Sequence, residues 1–304
     1  MYDLIGDVHG HADELVRLLE RLGYEEVQRA YRHPDRKVIF LGDFIDRGPQ
    51  IPQVLRTVRP MVEAGHAMAV MGNHELNALA YHTEDQDAPG QFLRRHTAKN
   101  TKQHRATLDQ LSPQELQSHL DWFRTLPLWL DLDGLRVVHA CWDDRAVAEI
   151  GDALNGHDGM TDEVLHSACR EGGPLFEPIE TILKGREVAL PDGASFADKD
   201  GHVRTEFRTR WYLPPEGQTY RTYAMTNGID CDRDLEDAVV AAAAAYPSAA
   251  KPVFIGHYWL SADRPRRLAD NVACVDYSVA KGGFLCAYRW NGEQTLNDAH
   301  FARV

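Results

Sequence analysis

The sequence predicts a layered α/β fold, because short apolar runs alternate with polar turns and amphipathic segments along its first 80 residues. Apolar runs at 2–5, 37–41 and 66–71 are typical of buried strands. Apolar residues at helical spacing follow the first two runs, which predicts helices over 15–22 and 50–64. Repetition of strand, polar turn and helix is typical of sheets with helices packed against them.

The later part of the chain predicts further elements. Segment 81–110 is polar, contains histidines and shows no core-facing period, so we predict an insert beside the strand ends. Ser112 and Glu115 form a capping box, which predicts a helix over 112–123. Further predictions are strands at 135–139, 252–255, 272–275, 283–290 and 293–296, the last two joined by an Asn-Gly hairpin turn, and a helix at 234–246. We expect 142–215 to form a cap or lid within a single domain spanning 1–304.

Composition limits the classes of partner. The chain has 46 acidic and 33 basic residues, a formal net charge of -13, which disfavours strong non-specific binding to nucleic acids. A phosphorylated substrate remains compatible, because two bound divalent cations would dominate the local field. No apolar run approaches the roughly 20 residues of a membrane span, so we expect no membrane partner.

The N-terminus and the cysteines predict a cytoplasmic protein. Asp3 and Asp7 stand where a signal peptide would need a basic start and an apolar run. The five cysteines are scattered and contain no C-x-x-C pair, which argues against a disulfide framework and a thiolate zinc site.

Predicted strand ends carry residues that can bind metal ions. Four strands finish in a glycine followed at once by such a residue, and a fifth delivers a histidine directly: Gly6-Asp7, Gly42-Asp43, Gly72-Asn73, Gly256-His257 and His139. Ligand sites in α/β sheets lie outside the carboxyl ends of strands, so these side chains can converge from distant parts of the chain. With His9 they form a candidate set of six ligands.

The donor types indicate the class of ion. Carboxylate, imidazole and carbonyl oxygen donors without thiolates suit divalent Mn²⁺, Fe²⁺ and Zn²⁺. Two such ions about 3.5–4 Å apart need a bridging carboxylate, which six ligands of this kind can provide. We expect two divalent ions, with manganese favoured and iron, zinc or magnesium as alternatives.

Three segments then resemble a known family. Residues 6–10 (GDVHG), 42–48 (GDFIDRG) and 72–75 (GNHE) resemble the G-D-x-H-G, G-D-x-x-D-R-G and G-N-H-E motifs of the phosphoprotein phosphatase branch of the calcineurin-like metallophosphoesterases. The tail 274–290 is similar to the terminal strands of bacterial diadenosine tetraphosphatases. The resemblance implies a calcineurin-like β-sandwich flanked by helices, with a cap insert.

The resemblance also implies a division of roles. Asp7 and His9 would bind the first metal, Asp43 would bridge, and the second metal would be completed by Asn73, His139 and His257. A metal-bridging hydroxide would attack phosphorus in line, without a covalent phosphoenzyme.

Three further motif residues would act on the substrate. Arg47 would hold the phosphate with its bidentate guanidinium. His74 would protonate the leaving oxygen, and Asp46 would orient it and raise its pKa. Family members use a second arginine on the phosphate, for which the candidates are Lys184, Arg204, Arg208 and Arg210, with Lys184 and Arg210 preferred.

The other histidines are expected to have no role in catalysis. His11 most simply flanks the first helix. Surface or packing positions are expected for His33, His66, His82, His96, His104, His119, His166, His202 and His300.

Several functions remain open on the sequence. The main hypothesis is a phosphomonoesterase of the Ser/Thr protein phosphatase type. A dinucleoside polyphosphate hydrolase is the alternative, favoured by the tail and by Ala140-Cys141-Trp142, which replaces the Gly-Gly that usually follows the histidine. A phosphatase of nucleic-acid ends is disfavoured by the acidic charge, and a non-catalytic scaffold by the complete set of ligands.

Overall fold

The computed structural model describes residues 1–157, 159–197, 201–225 and 228–304. Its strands are β1 (Tyr2–Ile5), β2 (Glu25–Val27), β3 (Ala30–Arg32), β4 (Lys37–Phe40), β5 (Ala67–Ala69), β6 (Trp129–Asp131), β7 (Arg136–Val138), β8 (Glu187–Ala189), β9 (Phe196–Ala197), β10 (Val203–Arg204), β11 (Glu206–Arg208), β12 (Val253–Ile255), β13 (Val272–Cys274), β14 (Asp276–Tyr277), β15 (Phe284–Trp290) and β16 (Phe301–Arg303).

Helices flank these strands. They are α1 (Ala12–Arg21), α2 (Ile51–Glu63), α3 (Asn73–His82), α4 (Ala98–Gln110), α5 (Pro113–Phe123), α6 (Asp144–Leu154), α7 (Asp162–Cys169), α8 (Phe176–Lys184), α9 (Tyr220–Tyr223) and α10 (Asp237–Ala242), with 3₁₀ turns at Val279–Lys281 and Asp298–His300. No helix in the described ranges is long and apolar enough to cross a bilayer.

Two sheets form the centre of the fold. The first has the order β14-β15-β1-β4-β5, with β16 added to β15, and the second has the order β13-β12-β7-β6. β1, β4 and β5 are parallel to one another, as are β7, β12 and β13. The strands that carry the candidate ligands therefore share one direction within each sheet.

The two faces of the central strands contribute side chains to two different clusters of the core. Leu4, Ile39, Val137 and Phe254 are fully buried in one cluster, which fills the space between the sheets. Neighbouring positions such as Ile5, Phe40 and Ile255 join a larger cluster with the helices. Because successive side chains of a strand point to opposite faces, an uninterrupted apolar strand supplies residues to both clusters. The predicted sandwich of sheets between helices is confirmed.

Segment 142–215 divides between two packing environments. Helices α6 to α8 contribute buried residues to the main cluster. Leu190 and Phe207 instead join a small separate cluster that reaches Leu235. Residues 158 and 198–200 of this segment lie outside the described ranges. The single-domain organisation with a cap insert stays a prediction.

Three predictions of secondary structure need correction. The insert 81–110 contains helix α4, whose buried positions are polar, His104 and Thr107, so it has no apolar period. Residues 293–296 form no strand: Glu293 bonds with Tyr288 and His300, and β15 pairs with β16 instead. The alanine-rich helix is shorter than 234–246, covering Asp237–Ala242.

The capping box of α5 gives a stability prediction. The Ser112 hydroxyl accepts the Glu115 N–H, and the Glu115 carboxylate accepts the Ser112 N–H at 3.1 Å. We expect Ser112→Ala to lower the free energy of unfolding by about 1 kcal/mol, because the cap hydrogen bond is lost. Urea unfolding would measure this, with Ser112→Asn as a control that keeps a capping oxygen. Equal stability of the alanine variant and the wild type would contradict the assignment.

Candidate metal centre and its acid–base pair

The predicted ligands converge where the two sheets meet. Within each of two groups, His9–Asp43–His74 and Asp43–His139–His257, the candidate ligand atoms lie within 4.8 Å of one another. All five residues are buried. Asp43 belongs to both groups and lies at the end of β4, between the strands of the first sheet and the histidines of the second.

The Asp43 carboxylate is oriented for sharing. Its Oδ2 lies 3.5 Å from His9 Nε2 and 3.5 Å from His139 Nε2. Its Oδ1 accepts the backbone N–H of His74 at 2.9 Å. One oxygen therefore faces both histidines while the other is held by the start of α3, as a bridging carboxylate requires.

His139 brings acceptor atoms together on the second side. Its Nδ1–H donates to the Leu41 carbonyl at 2.6 Å, and its Nε2 lies 3.1 Å from Asn73 Oδ1. Burial disfavours a charged imidazole here, but Asp43 and Asp7 outweigh it and raise the pKa of His139 to about 10. Without a metal ion, the His139 ring therefore holds a proton beside Asp43 and Asn73, where a bound cation could supply the positive charge instead.

Two more imidazoles carry buried nitrogen atoms with no hydrogen-bond partner, His9 Nε2 and His257 Nε2. His9 Nδ1–H donates to the Ile45 carbonyl at 2.9 Å, which fixes the tautomer that leaves Nε2 with a lone pair. Burial and His74 lower the pKa of His9 to about 3, so this ring is neutral. His257 Nδ1 lies 2.8 Å from Asn73 Oδ1. Neutral buried imidazoles with orphaned nitrogens fit metal ligation.

Asp7 lies beneath the loop after β12. Its carboxylate accepts the His257 N–H at 3.1–3.2 Å, and a Cβ at Gly256 would come within 2.2 Å of Asp7 Oδ1. Glycine at 256 is therefore required for this close approach. Burial and the second buried carboxylate, Asp276, raise the pKa of Asp7, which a bound cation would offset. Asp276 accepts the Trp259 N–H at 2.6 Å and so supports the same loop.

Glu75 was left without a role by the sequence analysis, although it lies in the third motif. Its fully buried carboxylate accepts the N–H groups of Asp43 at 2.8 Å, Phe44 at 2.9 Å and Gly72 at 3.0 Å. It therefore fastens the loop after β4 to the loop that begins α3. Its position inside the motif was the available signal, but only the fold shows what it binds.

His74 and Asp46 form the predicted pair. His74 Nδ1–H donates to Asp46 Oδ2 at 2.6 Å, and His74 Nε2 lies 3.9 Å from Asp43 Oδ2. Burial opposes protonation, but the carboxylates of Asp43 and Asp46 outweigh it and raise the pKa of His74. Burial likewise opposes ionisation of Asp46, yet hydrogen bonds from His104 and His74 hold its pKa well below the usual range.

A surface or packing position was expected for His104, but the structure places it in contact with the acid–base pair. It is 4% exposed, and its Nδ1–H donates to Asp46 Oδ1 at 2.8 Å. No spacing in the sequence connects residue 104 with residue 46, because helix α4 lacks the apolar period that would have revealed its buried face.

A cavity of about 540 Å³ opens above the cluster. Its basic lining residues include Arg47, Arg94, Lys184, Arg204, Arg208 and Lys281. The Arg47 guanidinium lies 4.0 Å from the centre of the Trp259 ring. Lys184 is paired with Glu180. The structure thus brings Arg47 and Lys184 to the candidate site.

The positions of Arg210 and Arg94 differ from what the sequence led us to expect. Arg210 is not a lining residue of this cavity; it donates from Nε to the Ala224 carbonyl at 2.9 Å and lines a neighbouring cleft. Arg94, from the insert, lines the cavity and is held by Asn77 and Gln103. The prediction for Arg210 is unsupported by its position, and Arg94 is a candidate that the sequence analysis missed.

The chain is similar to known proteins in both sequence and structure. The sequence model of the family described as calcineurin-like phosphoesterase matches residues 2–183. The chain is 49% identical over 74 residues to the bis(5'-nucleosyl)-tetraphosphatase PrpE [asymmetrical] of Halalkalibacterium halodurans, an alignment covering 24% of this chain and 30% of the relative. It is 33% identical over 165 residues to the symmetrical bis(5'-nucleosyl)-tetraphosphatase of Hamiltonella defensa, covering 51% and 52%. These alignments span 30% and 52% of the length of the two curated relatives.

Solved structures with a similar course of the chain include a putative diadenosine tetraphosphatase, 17% identical with a TM-score of 0.46, covering 94% of this chain and 87% of that one. A protein serine/threonine phosphatase from Saccharomyces cerevisiae is 12% identical with a TM-score of 0.46, covering 100% of this chain and 78% of that one.

The role of Glu75 can be tested with a matched control. Glu75→Gln removes the charge and one acceptor oxygen, leaving at least one buried N–H unpaired, so we expect a loss of about 1–3 kcal/mol in the free energy of unfolding and weaker Mn²⁺ binding. Urea unfolding and calorimetric titration would measure the two effects. Glu115 occupies the same helix position in α5 but is exposed, so Glu115→Gln should cost well under half as much. Similar losses in both variants would refute the special role of Glu75.

Proposed function

The chain belongs to the calcineurin-like phosphoesterase family, and we propose that it is a phosphatase that uses two divalent metal ions. The observation that carries this proposal is the position of Asp43 Oδ2, 3.5 Å from an imidazole nitrogen on either side. One shared oxygen between two sets of buried donors suits a pair of ions.

We propose the following ligands for the metal pair: Asp7 and His9 on one side, Asp43 between the ions, and Asn73, His139 and His257 on the other. Oxygen and imidazole donors suit manganese, and also iron, zinc or magnesium. When bound, such ions supply a nucleophile at neutral pH and offset the charge of the phosphate.

The protein's own side chains would complete the reaction. The exposed Arg47 guanidinium would grip two phosphate oxygens, while its stacking on Trp259 limits its rotamers. His74 would transfer the proton on Nε2 to the leaving oxygen as the ester bond breaks, which leaves a neutral imidazole. Asp46 would keep the Nδ1 proton in place throughout.

The first test is a phosphate-release assay with p-nitrophenyl phosphate and added Mn²⁺, Mg²⁺ or Zn²⁺. We expect turnover that needs a metal, highest with Mn²⁺, and a loss of at least about 100-fold in Asp43→Asn, because the shared charge is removed. Asp13→Asn, an exposed acid on α1, serves as the control and should retain full activity. Absence of turnover with every metal would refute the enzymatic proposal in favour of a non-catalytic scaffold.

Phosphomonoesters, including phosphoserine peptides, are the first substrate class we propose. A second class, dinucleoside polyphosphates, is favoured by a specific feature. A cleft of about 720 Å³ shares Tyr258 and Trp259 with the cavity above the cluster and is lined by Arg210, Arg264, Arg266 and Arg267. Arginines suit phosphate binding, so this cleft could hold the distal phosphates of a longer substrate. The relatives from Halalkalibacterium halodurans and Hamiltonella defensa are bis(5'-nucleosyl)-tetraphosphatases.

The two classes can be separated with one double variant. If the cleft binds distal phosphates, Arg264→Ala/Arg266→Ala should raise KM for diadenosine tetraphosphate about tenfold or more, the equivalent of 1.4 kcal/mol, with a much smaller effect on p-nitrophenyl phosphate. Arg17→Ala/Arg21→Ala, which removes two exposed arginines of α1, controls for the change of net charge. Equal effects on both substrates would exclude the cleft as a distal subsite. A 5′-phosphorylated oligonucleotide in the same assay would test nucleic-acid ends.

A further inference from the structure

We infer that His104 and Thr107 on helix α4 are positioning residues that fix the Asp46 carboxylate and, through it, the Nδ1 proton of His74. This inference rests on the proposed role of His74 as the acid that protonates the leaving oxygen. The insert 81–110 would then be part of the catalytic apparatus: His104 lines the cavity above the cluster, but both residues would act through Asp46.

Each oxygen of Asp46 has its own partners. Oδ2 accepts the Nδ1–H of His74 at 2.6 Å. Oδ1 accepts the Nδ1–H of His104 at 2.8 Å and the hydroxyl of Thr107 at 2.5 Å. Because two donors hold Oδ1, the carboxylate cannot rotate to exchange its oxygens without breaking both bonds.

Thr107 also holds the backbone of the same residue. The Asp46 N–H donates to Thr107 Oγ1 at 3.0 Å, so a single hydroxyl accepts from the main chain and donates to the side chain. Asp46 has a φ of 65°, a left-handed conformation that is unfavourable for a residue with a Cβ. Such a conformation persists only where the surroundings determine it, and Thr107 supplies that determination.

The side of the His104 ring that faces away from Asp46 also has a partner. Its Nε2 lies 3.3 Å from His82 Nε2, within hydrogen-bond distance, so the two rings hold each other in place. Burial and the neighbouring His104 lower the pKa of His82 to about 4, so the His82 ring is neutral. The Tyr81 ring lies 5.3 Å from that of His104. His104 and Thr107 are one helical turn apart on α4, and both are buried, at 4% and 0% exposure.

Leaving-group dependence tests this inference, because a well-held acid matters most for a poor leaving group. Thr107→Val removes the hydroxyl at nearly constant shape and His104→Phe removes the donor but keeps a ring. We expect both to lower kcat about tenfold or more for an alkyl phosphate and less than about threefold for p-nitrophenyl phosphate, with KM unchanged. His74→Asn should show the same signature, and Thr107→Val should add little to it.

Conservative partners and a control complete the experiment. Thr107→Ser keeps the hydroxyl and His104→Asn keeps a donor near the former Nδ1, so both should recover most of the activity on the alkyl phosphate. His96→Phe alters a ring of the same insert that bonds to the Tyr81 carbonyl rather than to Asp46, and should behave as wild type. Equal losses on both substrates, or a change confined to KM, would overturn the inference.

A spectroscopic readout separates this inference from the proposed function. In the protein without added metal, proton NMR should show the hydrogen-bonded Nδ1 proton of His74 far downfield of the amide region, identified by its disappearance in His74→Asn. Thr107→Val and His104→Phe should move or broaden this signal, whereas Thr107→Ser should not. Lack of turnover by the wild type would defeat the proposed function alone, and an unmoved signal in both removal variants would defeat the positioning role.

Discussion

The structure depends on a concentration of acceptor atoms at the ends of its parallel strands. His139 Nε2 lies 3.5 Å from Asp43 Oδ2 and 3.1 Å from Asn73 Oδ1, and all three residues are buried. Acceptors of this kind repel one another and lose hydration on burial, so the protein without cations is poorly satisfied there. The raised pKa of His139 and the raised pKa of Asp7 are two responses to the same deficit of positive charge. A pair of dications would remove it, so we expect metal binding to stabilise the fold.

The loops around this cluster are shaped to keep the acceptors in place. Asp43, His9 and His257 all have left-handed backbone conformations, with φ between 44° and 69°. A Cβ at Gly72 would lie 2.3 Å from Asp43 Oδ1, so the loop that begins α3 can pass the carboxylate only as glycine. Glu75 then binds the N–H groups that these turns leave without strand partners. The left-handed conformations persist because the surroundings hold them, and the hydrogen bonds to Glu75 are part of that hold.

The sequence predicted most of what depends on apolar periods and on strand ends. Strands β1, β4, β7 and β12, helix α2 and the capped helix α5 follow from local patterns, and a parallel arrangement suffices to bring their ends together. Helix α4 could not be predicted, because His104 and Thr107 replace the apolar residues that mark a buried face. The partners of Glu75 and the place of Arg94 depend on contacts between distant segments, which no spacing in one sequence reveals. Metal identity and substrate depend on side chains at the cavity wall, where the sequence is least patterned.

Different parts of the chain lie at the two nitrogens of the His74 imidazole: Asp43 is near Nε2, and Asp46 binds Nδ1. Bound metal ions would change how strongly each carboxylate affects the pKa of His74. In the protein alone, burial opposes protonation of His74, but the charge of Asp43 together with the hydrogen bond and the charge of Asp46 raises its pKa. Dications on Asp43 would offset that charge, since local ion charge dominates local electrostatics. The remaining ionic partner is then Asp46, whose orientation rests on two side chains of α4. The motif residues would therefore assemble the metal site, while a helix outside the motifs would hold Asp46 and, through it, the Nδ1 proton that orients the His74 ring.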